Sequence, residues 1–256
     1  MIVRNAEQRR DVIEAGKRLG EVLEKVAKAT HAGVSTASLD ALSEKLIRDG
    51  GDTPAFKGFK PDGARSPYPA TCCISVNEEV VHGLPGARIL KEGDIVSLDL
   101  GLIHDGYVMD SALTVPVGKI AKEVQELLNV TQESLEEAIA VARPGARVGD
   151  ISHAVEETFK GSGFSIVKVL GGHGVGNSVH EEPFIPNVGH PGMGPEIVEG
   201  MVLALEPIAN AGKASVFVAP DGFTYKSKDG SMSAHFEHTI LVEKNKTIVL
   251  TRRPHE

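Results

Sequence analysis

Two pairs of carboxylates recur at matched places along the 256-residue chain, each set among residues that suit strands. Asp99 ends the run Glu92-Gly-Asp-Ile-Val-Ser-Leu-Asp99, and Glu206 ends Glu199-Gly-Met-Val-Leu-Ala-Leu-Glu206. In both, Glu-Gly is followed by mostly apolar residues and then the acid. A second acid follows each: Asp110 in Tyr107-Val-Met-Asp110-Ser-Ala-Leu-Thr-Val, and Glu237 in His235-Phe-Glu237-His-Thr-Ile-Leu-Val. A carboxylate buried in a strand is costly unless it is paired or bound to a cation. Four such acids, repeated by halves, point to a cation site.

A third cluster supplies imidazole. Gly171-Gly-His173-Gly-Val-Gly-Asn-Ser-Val-His180-Glu-Glu-Pro183 is rich in glycine, which lets backbone approach a ligand closely. The spacing of His173 and His180 is not the i, i+4 pair of a zinc-binding helix, so both belong on a loop-strand-loop. One can then ligate metal while the other faces substrate. Oxygen ligands with one imidazole suit Mn²⁺, Fe²⁺ or Co²⁺ better than a thiolate zinc site does. Four carboxylates balance two divalent cations in formal charge. Ions about 3.5–4 Å apart can hold a water that becomes hydroxide near neutral pH, a nucleophile suited to an amide carbonyl. The chemistry read from these residues is metal-assisted hydrolysis.

Positioning them requires a regular frame. Apolar spacing predicts a helix over 6–30, with Val12, Ala15, Leu19, Val22, Leu23, Val26 and Ala27 on one face. A second helix is predicted over 37–49, capped by Ser38 or Thr36, followed by a Pro/Gly-rich loop over 52–70. Strands are predicted at 71–77, 94–101 and 106–116, the last two joined by the hairpin signal His104-Asp-Gly106. The second half repeats the order, with helices at 119–142 and 148–160 and strands at 201–209, 214–219 and 236–243. An internal duplication accounts for this. The expected fold is α/β (α+β): two halves, about 6–117 and 118–250, related by a pseudo-twofold within a single domain spanning 1–256. The four acids then meet at the centre.

Composition narrows the rest. A net charge of −8 with 41% hydrophobic and 24% charged residues gives no general attraction to nucleic acid or anionic membrane. The only cysteines, Cys72 and Cys73, are adjacent and unsuited to a structural disulfide, which favours the reducing cytosol. The beginning of the chain lacks a secretory pattern, and no stretch approaches the roughly 20 apolar residues of a membrane helix.

At these residues the chain resembles the pita-bread metallopeptidases and, among them, the type I methionine aminopeptidases. The resemblance rests on Asn77-Glu-Glu-Val-Val-His82-Gly-Leu-Pro, on Asp99 with Asp110 eleven residues on, and on Gly-His173-Gly-Val-Gly with His180-Glu-Glu-Pro. Glu206-Pro and Ser233-Ala-His-Phe-Glu237-His-Thr complete it, so that it spans essentially the whole chain. It implies that Asp99, Asp110, His173, Glu206 and Glu237 hold two divalent cations, drawn from Co, Mn, Fe, Zn and Ni. Asp110 and Glu237 would bridge, Asp99 would serve one ion, and His173 with Glu206 the other. The catalytic residues implied are His180 at the scissile carbonyl, His82 at the main-chain nitrogen beyond the scissile bond, and Glu206 as proton shuttle. The reaction implied is hydrolysis of initiator methionine from nascent chains with a small second residue, through a hydroxide between the metals.

Tyr68, Cys73, Val179 and Phe223, with His82 and His180, are the implied substrate-binding residues. Val179 stands where relatives commonly carry Phe, Phe223 where Trp is common, and Arg65 and Ser66 where Tyr and His are frequent. His238 should point to the face opposite Glu237 if that segment is a strand. The 31-residue interval from Glu206 to Glu237 is too short for the helical insertion typical of type II enzymes. The resemblance further implies a cytoplasmic monomer that meets peptide N-termini in transient association with the ribosome.

Overall fold

A computed structural model describes residues 1–60 and 66–256. Pro61, Gly63 and Arg65 from the sequence reading lie outside the described residues. Helix α1 (Ala6–Ala29) buries the predicted face, and Asn5 caps it by accepting the Gln8 N–H at 2.8 Å. Helix α2 (Thr36–Asp49) starts earlier than predicted. The hydroxyl of Ser35, not that of Ser38 or Thr36, accepts the free Ser38 N–H at 3.1 Å. Five strands follow α2: β1 (Thr53–Pro54), β2 (Cys72–Val76), β3 (Glu79–Val81), β4 (Ile95–His104) and β5 (Tyr107–Pro116). Asp105 and Gly106, with φ of +47° and +85°, make the two-residue hairpin loop between β4 and β5.

Helices α3 (Lys122–Val141) and α4 (Val148–Thr158) open the second half. Then come β6 (Ser165–Ile166), β7 (Gly171–Gly174), β8 (Glu181–Pro186), β9 (Val202–Leu205) and β10 (Ile208–Asn210). The chain ends through β11 (Val216–Val218), β12 (Tyr225–Ser227), β13 (Ser233–His235), β14 (Glu237–Val242) and β15 (Thr247–Val249). The strand predicted at 201–209 is therefore two strands. Pro207 has no N–H for a ladder, and the chain passes there from the main sheet into a three-stranded one, β13-β10-β6. The return passage is at Phe236, whose N–H meets the Pro207 carbonyl at 3.3 Å.

The main sheet runs β1-β4-β5-β14-β9-β7-β8, with β2 also on β4 and β15 also on β14. Its centre, β4-β5-β14-β9, is the duplicated unit seen about its pseudo-twofold. The turns agree in detail. Gly93 and Gly200, with φ of +94° and +86°, donate to Val117 O at 2.9 Å and Val242 O at 2.8 Å, each just before an acid-bearing strand. Within the main sheet, among the described residues, the halves pair across their seam only at Glu237↔Ala112 and His238↔Ser111, so side chains reinforce it. Ser111 Oγ donates to Glu237 O (2.8 Å), Thr114 Oγ1 to His235 O (2.9 Å) and Thr239 Oγ1 to Asp110 O (2.7 Å).

Strand parity sorts the two faces. Leu98 and Leu100, alternating with Asp99, pack with Val12, Leu19 and Leu23 of α1. Leu203, Leu205, Ile240 and Val242 pack with Leu127, Leu135 and Ile151 of α3 and α4. The helices thus cover one face, and the acids are left on the other.

Candidate metal centre and substrate cavity

Register alone brings the five predicted ligands together. Asp99 and Glu237 both stand opposite Ala112, and Asp110 is two residues from it, so all three share a face. Thr239 pairs with Ala204 and Ala204 with His173, which carries Glu206, two residues beyond, onto that face as well. His238 points the other way, fully buried, with its ring against the Thr251 hydroxyl at 2.9 Å and Glu256 at 3.2 Å.

His173 Nδ1 meets the Gly174 carbonyl at 2.9 Å, so Nδ1–H donates there and Nε2 presents its lone pair to the site. Nε2 lies 3.9 Å from Asp110 Oδ2 and 3.8 Å from Glu206 Oε1. Asp110, His173 and Glu237 each place a ligand atom within 4.8 Å of the others. Asp99 Oδ1, Asp110 Oδ1 and Glu237 Oε1 are buried and lack any hydrogen-bond partner among the described residues. An oxygen-rich set with one oriented imidazole and three orphaned carboxylate oxygens fits a divalent cation. A second triplet, Glu136, His238 and Glu256, differs: Arg252 faces Glu136 and Arg253 faces Glu256, so its charge is already met.

The crowding has an electrostatic signature. Burial raises the Asp99 carboxyl to about 6, with nearby Glu206 adding to the rise and His235 opposing it. Asp110 and Glu237 are driven well above the usual carboxylate range by burial first and then by the neighbouring acids. Folded-state values above the unfolded ones stabilise the cation-free protein in acid, and that contribution is lost as pH rises from near 4 through the raised values. Cations act in the opposite sense, since they bind the deprotonated acids. Adding Mn²⁺ to chelator-stripped protein should therefore raise Tm more at pH 7.5 than at pH 5.5. The difference should be several degrees, because one unit of pKa shift is worth about 1.4 kcal/mol and about 3–6 °C at this chain length. A gain in Tm independent of pH across this window would contradict the assignment.

Above the carboxylates lies a cavity of about 390 Å³, lined by every residue the sequence reading placed in the site. Cys73 pairs with Asp99 and so faces the cavity, while Cys72 turns into the core beneath α2. Burial raises both the Cys73 thiol and the Tyr68 phenol, so these walls are neutral. Tyr68 and Phe223 meet edge to face at 5.5 Å, and Val179 is buried beside them. Ser66 is exposed.

His82 adopts φ +57°, an uncommon backbone for a non-glycine residue. The next residue holds it there. Gly83 O accepts from Tyr68 Oη (2.8 Å) and Ile74 N (2.9 Å), and its N–H donates to Ser75 Oγ (3.0 Å). A Cβ on Gly83 would sit 2.4 Å from the Ile74 carbonyl oxygen, so only glycine packs this closely on β2. Burial lowers the His82 imidazole, and crowding at His180, reinforced by His173, pushes that ring down to about 4 although its outer edge is exposed. The His180 ring stands edge-on to His173 at 4.6 Å and to Phe59 at 5.5 Å.

Sequence reasoning missed Phe56, Phe59, Val218 and Tyr225, which also line the cavity. Two aromatics in the otherwise Pro/Gly-rich segment 52–70 were the available signal; Val218 and Tyr225, on short strands of a separate sheet, offered none. His235 was missed too, although it lies in the segment Ser233–Thr239 beside Glu237.

Residues 10–244 match the model of metallopeptidase family M24. The chain is 46% identical over 243 residues to methionine aminopeptidase of Aquifex aeolicus, covering 93% of each chain. It is 44% identical over 239 residues to methionine aminopeptidase 1 of Bacillus subtilis, covering 93% of this chain and 94% of that one. The crystal structure of methionine aminopeptidase from Thermotoga maritima superposes with a TM-score of 0.93 at 41% identity, over 99% of this chain and 100% of that one. The pita-bread arrangement of sheet and helices, the acid-and-imidazole centre and these likenesses converge: the chain belongs to metallopeptidase family M24, among the methionine aminopeptidases.

Proposed function

We propose that the protein removes the N-terminal methionine from polypeptides whose second residue is small, as a cytosolic monomer meeting chains that emerge from the ribosome. Residues 1–256 act in this reading as one catalytic unit. The observation that carries it is the placement of five oxygen and imidazole donors on one sheet face, at the floor of an apolar-walled cavity of about 390 Å³. The relatives named methionine aminopeptidase support the substrate.

Asp99, Asp110, His173, Glu206 and Glu237 are the residues that would hold divalent cations, two of them in this reading. Bound there, such cations would polarise the scissile carbonyl and acidify water. The chain's own groups do the rest. Glu206, half-buried at the cavity edge, takes a proton from the attacking water and returns it to the departing amine. His180, neutral at working pH, donates to the carbonyl oxygen as negative charge develops. His82, fixed by its clamped backbone, meets the main-chain nitrogen beyond the scissile bond. Tyr68, Cys73, Val179 and Phe223 take the methionine side chain by apolar burial. One methylene in such a pocket discriminates by about 1–3 kcal/mol, so Leu should be a poor substrate rather than an excluded one.

The test is peptide hydrolysis by chelator-stripped protein before and after addition of Mn²⁺, Fe²⁺ or Co²⁺. Met-Ala-Ser, Leu-Ala-Ser and a peptide with proline second are offered. Metal-restored release of Met from the first peptide, with little from the others, is expected. Preferred release of Leu, or cleavage before Pro, would overturn the substrate; no release with any metal would overturn the activity.

A further inference from the structure

His235 is buried to 2% exposure, yet neither ring nitrogen has a hydrogen-bond partner among the described residues. An imidazole always offers at least one N–H or lone pair, and leaving such a group unpaired in the interior costs about 1–3 kcal/mol. Its backbone is held rigidly. His235 N–H donates to Thr114 Oγ1 at 2.9 Å, Thr114 Oγ1 donates back to His235 O at 2.9 Å, and Ile208 pairs with it across the three-stranded sheet. The ring is therefore aimed by a fixed element and not parked at random.

What it is aimed at is Glu206. His235 Nε2 lies 3.4 Å from Glu206 Oε2 and 3.9 Å from Glu237 Oε2. The other Glu206 oxygen, Oε1, lies 3.8 Å from His173 Nε2. One carboxylate thus stands between two imidazoles, with one oxygen turned to each. Its backbone is fixed as well, because Asn187 Nδ2 donates to the Glu206 carbonyl at 2.9 Å. A small adjustment that shortens the gap by about 0.3 Å and turns Nε2–H onto Oε2 would complete an ordinary hydrogen bond. His235 comes from β13, behind the carboxylate, and is not among the residues lining the cavity, so substrate does not touch it.

Resting on the metal-site reading above, we propose that His235 is a positioning residue. Its Nε2–H donates to Glu206 Oε2 and so leaves Oε1 to share a bound cation with His173. Groups that orient a ligating carboxylate in this way typically contribute 10–100-fold in metal affinity. The role belongs to this chain's histidine: a residue without an N–H donor at 235 would leave the Glu206 carboxylate free to rotate.

The test reads metal binding without peptide. Chelator-stripped parent protein, His235→Ala, His235→Leu and His235→Gln are titrated with Co²⁺ by calorimetry, and the visible absorption of each Co²⁺-loaded protein is recorded. We expect roughly 10–100-fold weaker binding of one Co²⁺ in the Ala and Leu variants. The Gln variant, whose amide can also donate, should recover most of that loss. The Co²⁺ band positions should stay the same throughout, since the ligand set is unchanged. Leu fills the volume of the ring and carries the comparison if Ala does not fold. Unchanged affinity in Leu, or no recovery with Gln, would overturn the proposal. A shifted Co²⁺ spectrum in Ala or Leu would overturn it differently, by making His235 a ligand itself. Parent protein that binds Co²⁺ but releases no methionine would defeat the activity reading and leave this one standing.

Discussion

Glu206→Gln should lower kcat for Met-Ala-Ser by roughly 10²–10⁴-fold, the range spanned by a lost proton-transfer group. The substitution keeps the shape of the side chain and does not touch the Asn187 bond to the Glu206 carbonyl, so the fold should persist. It removes the negative charge that lies between His173 and His235 and the ability to carry a proton. Two losses are then mixed, and they separate experimentally. Calorimetry gives the cation affinity of the variant, and kcat is measured at a cation concentration well above that Kd. Thermal unfolding of the metal-free variant should match the parent within a few degrees. Near-normal kcat in the metal-replete variant would refute the proton-transfer role of Glu206.

The second large effect is expected at His180. Replacing it with Ala removes a donor from the cavity mouth without emptying the carboxylate floor, since the His180 ring is buried only on its inner side and is not one of the five ligands. Loss of a single donor to a developing oxyanion costs about 10²–10³-fold in kcat, or roughly 2.7–4 kcal/mol. KM should change far less, because the donor acts most strongly on charge that the bound substrate does not yet carry. Burial and His173 hold the ring near 4, so it works as a neutral donor and its contribution should not vary between pH 6 and 8. Steady-state kinetics of His180→Ala with saturating Mn²⁺ checks this. A raised KM with kcat preserved would make His180 a residue of substrate binding only.

Much of this site is legible in the sequence. The alternation of Leu98, Asp99 and Leu100, and the even interval from Asp110 to Ala112, already place acids on one side of a strand and the core on the other. The matched Glu-Gly turns announced the duplication, and the structure repeats them down to Gly93 bonding Val117 and Gly200 bonding Val242. Helix faces were readable for the same reason: periodic burial is a local property of the chain.

Other features were not local. The cap of α2 moved to Ser35 because several neighbouring hydroxyls could serve, and only the path of the backbone chose one. Pro207 signalled an interruption, but that the chain changes sheets there, beside Phe236, depends on contacts between distant segments. The approach of His235 to Glu206 follows from that passage, so nothing in its flanking residues could reveal it. By itself, then, the sequence determined which residue types carry the chemistry and which face of each strand presents them, since side-chain parity and residue type are properties of the chain. Only the tertiary structure decided which oxygens go unpartnered, how far the acids raise one another and which imidazole stands behind Glu206. Burial and charge coupling depend on distances across the seam between the halves, and those exist only once the sheet has closed.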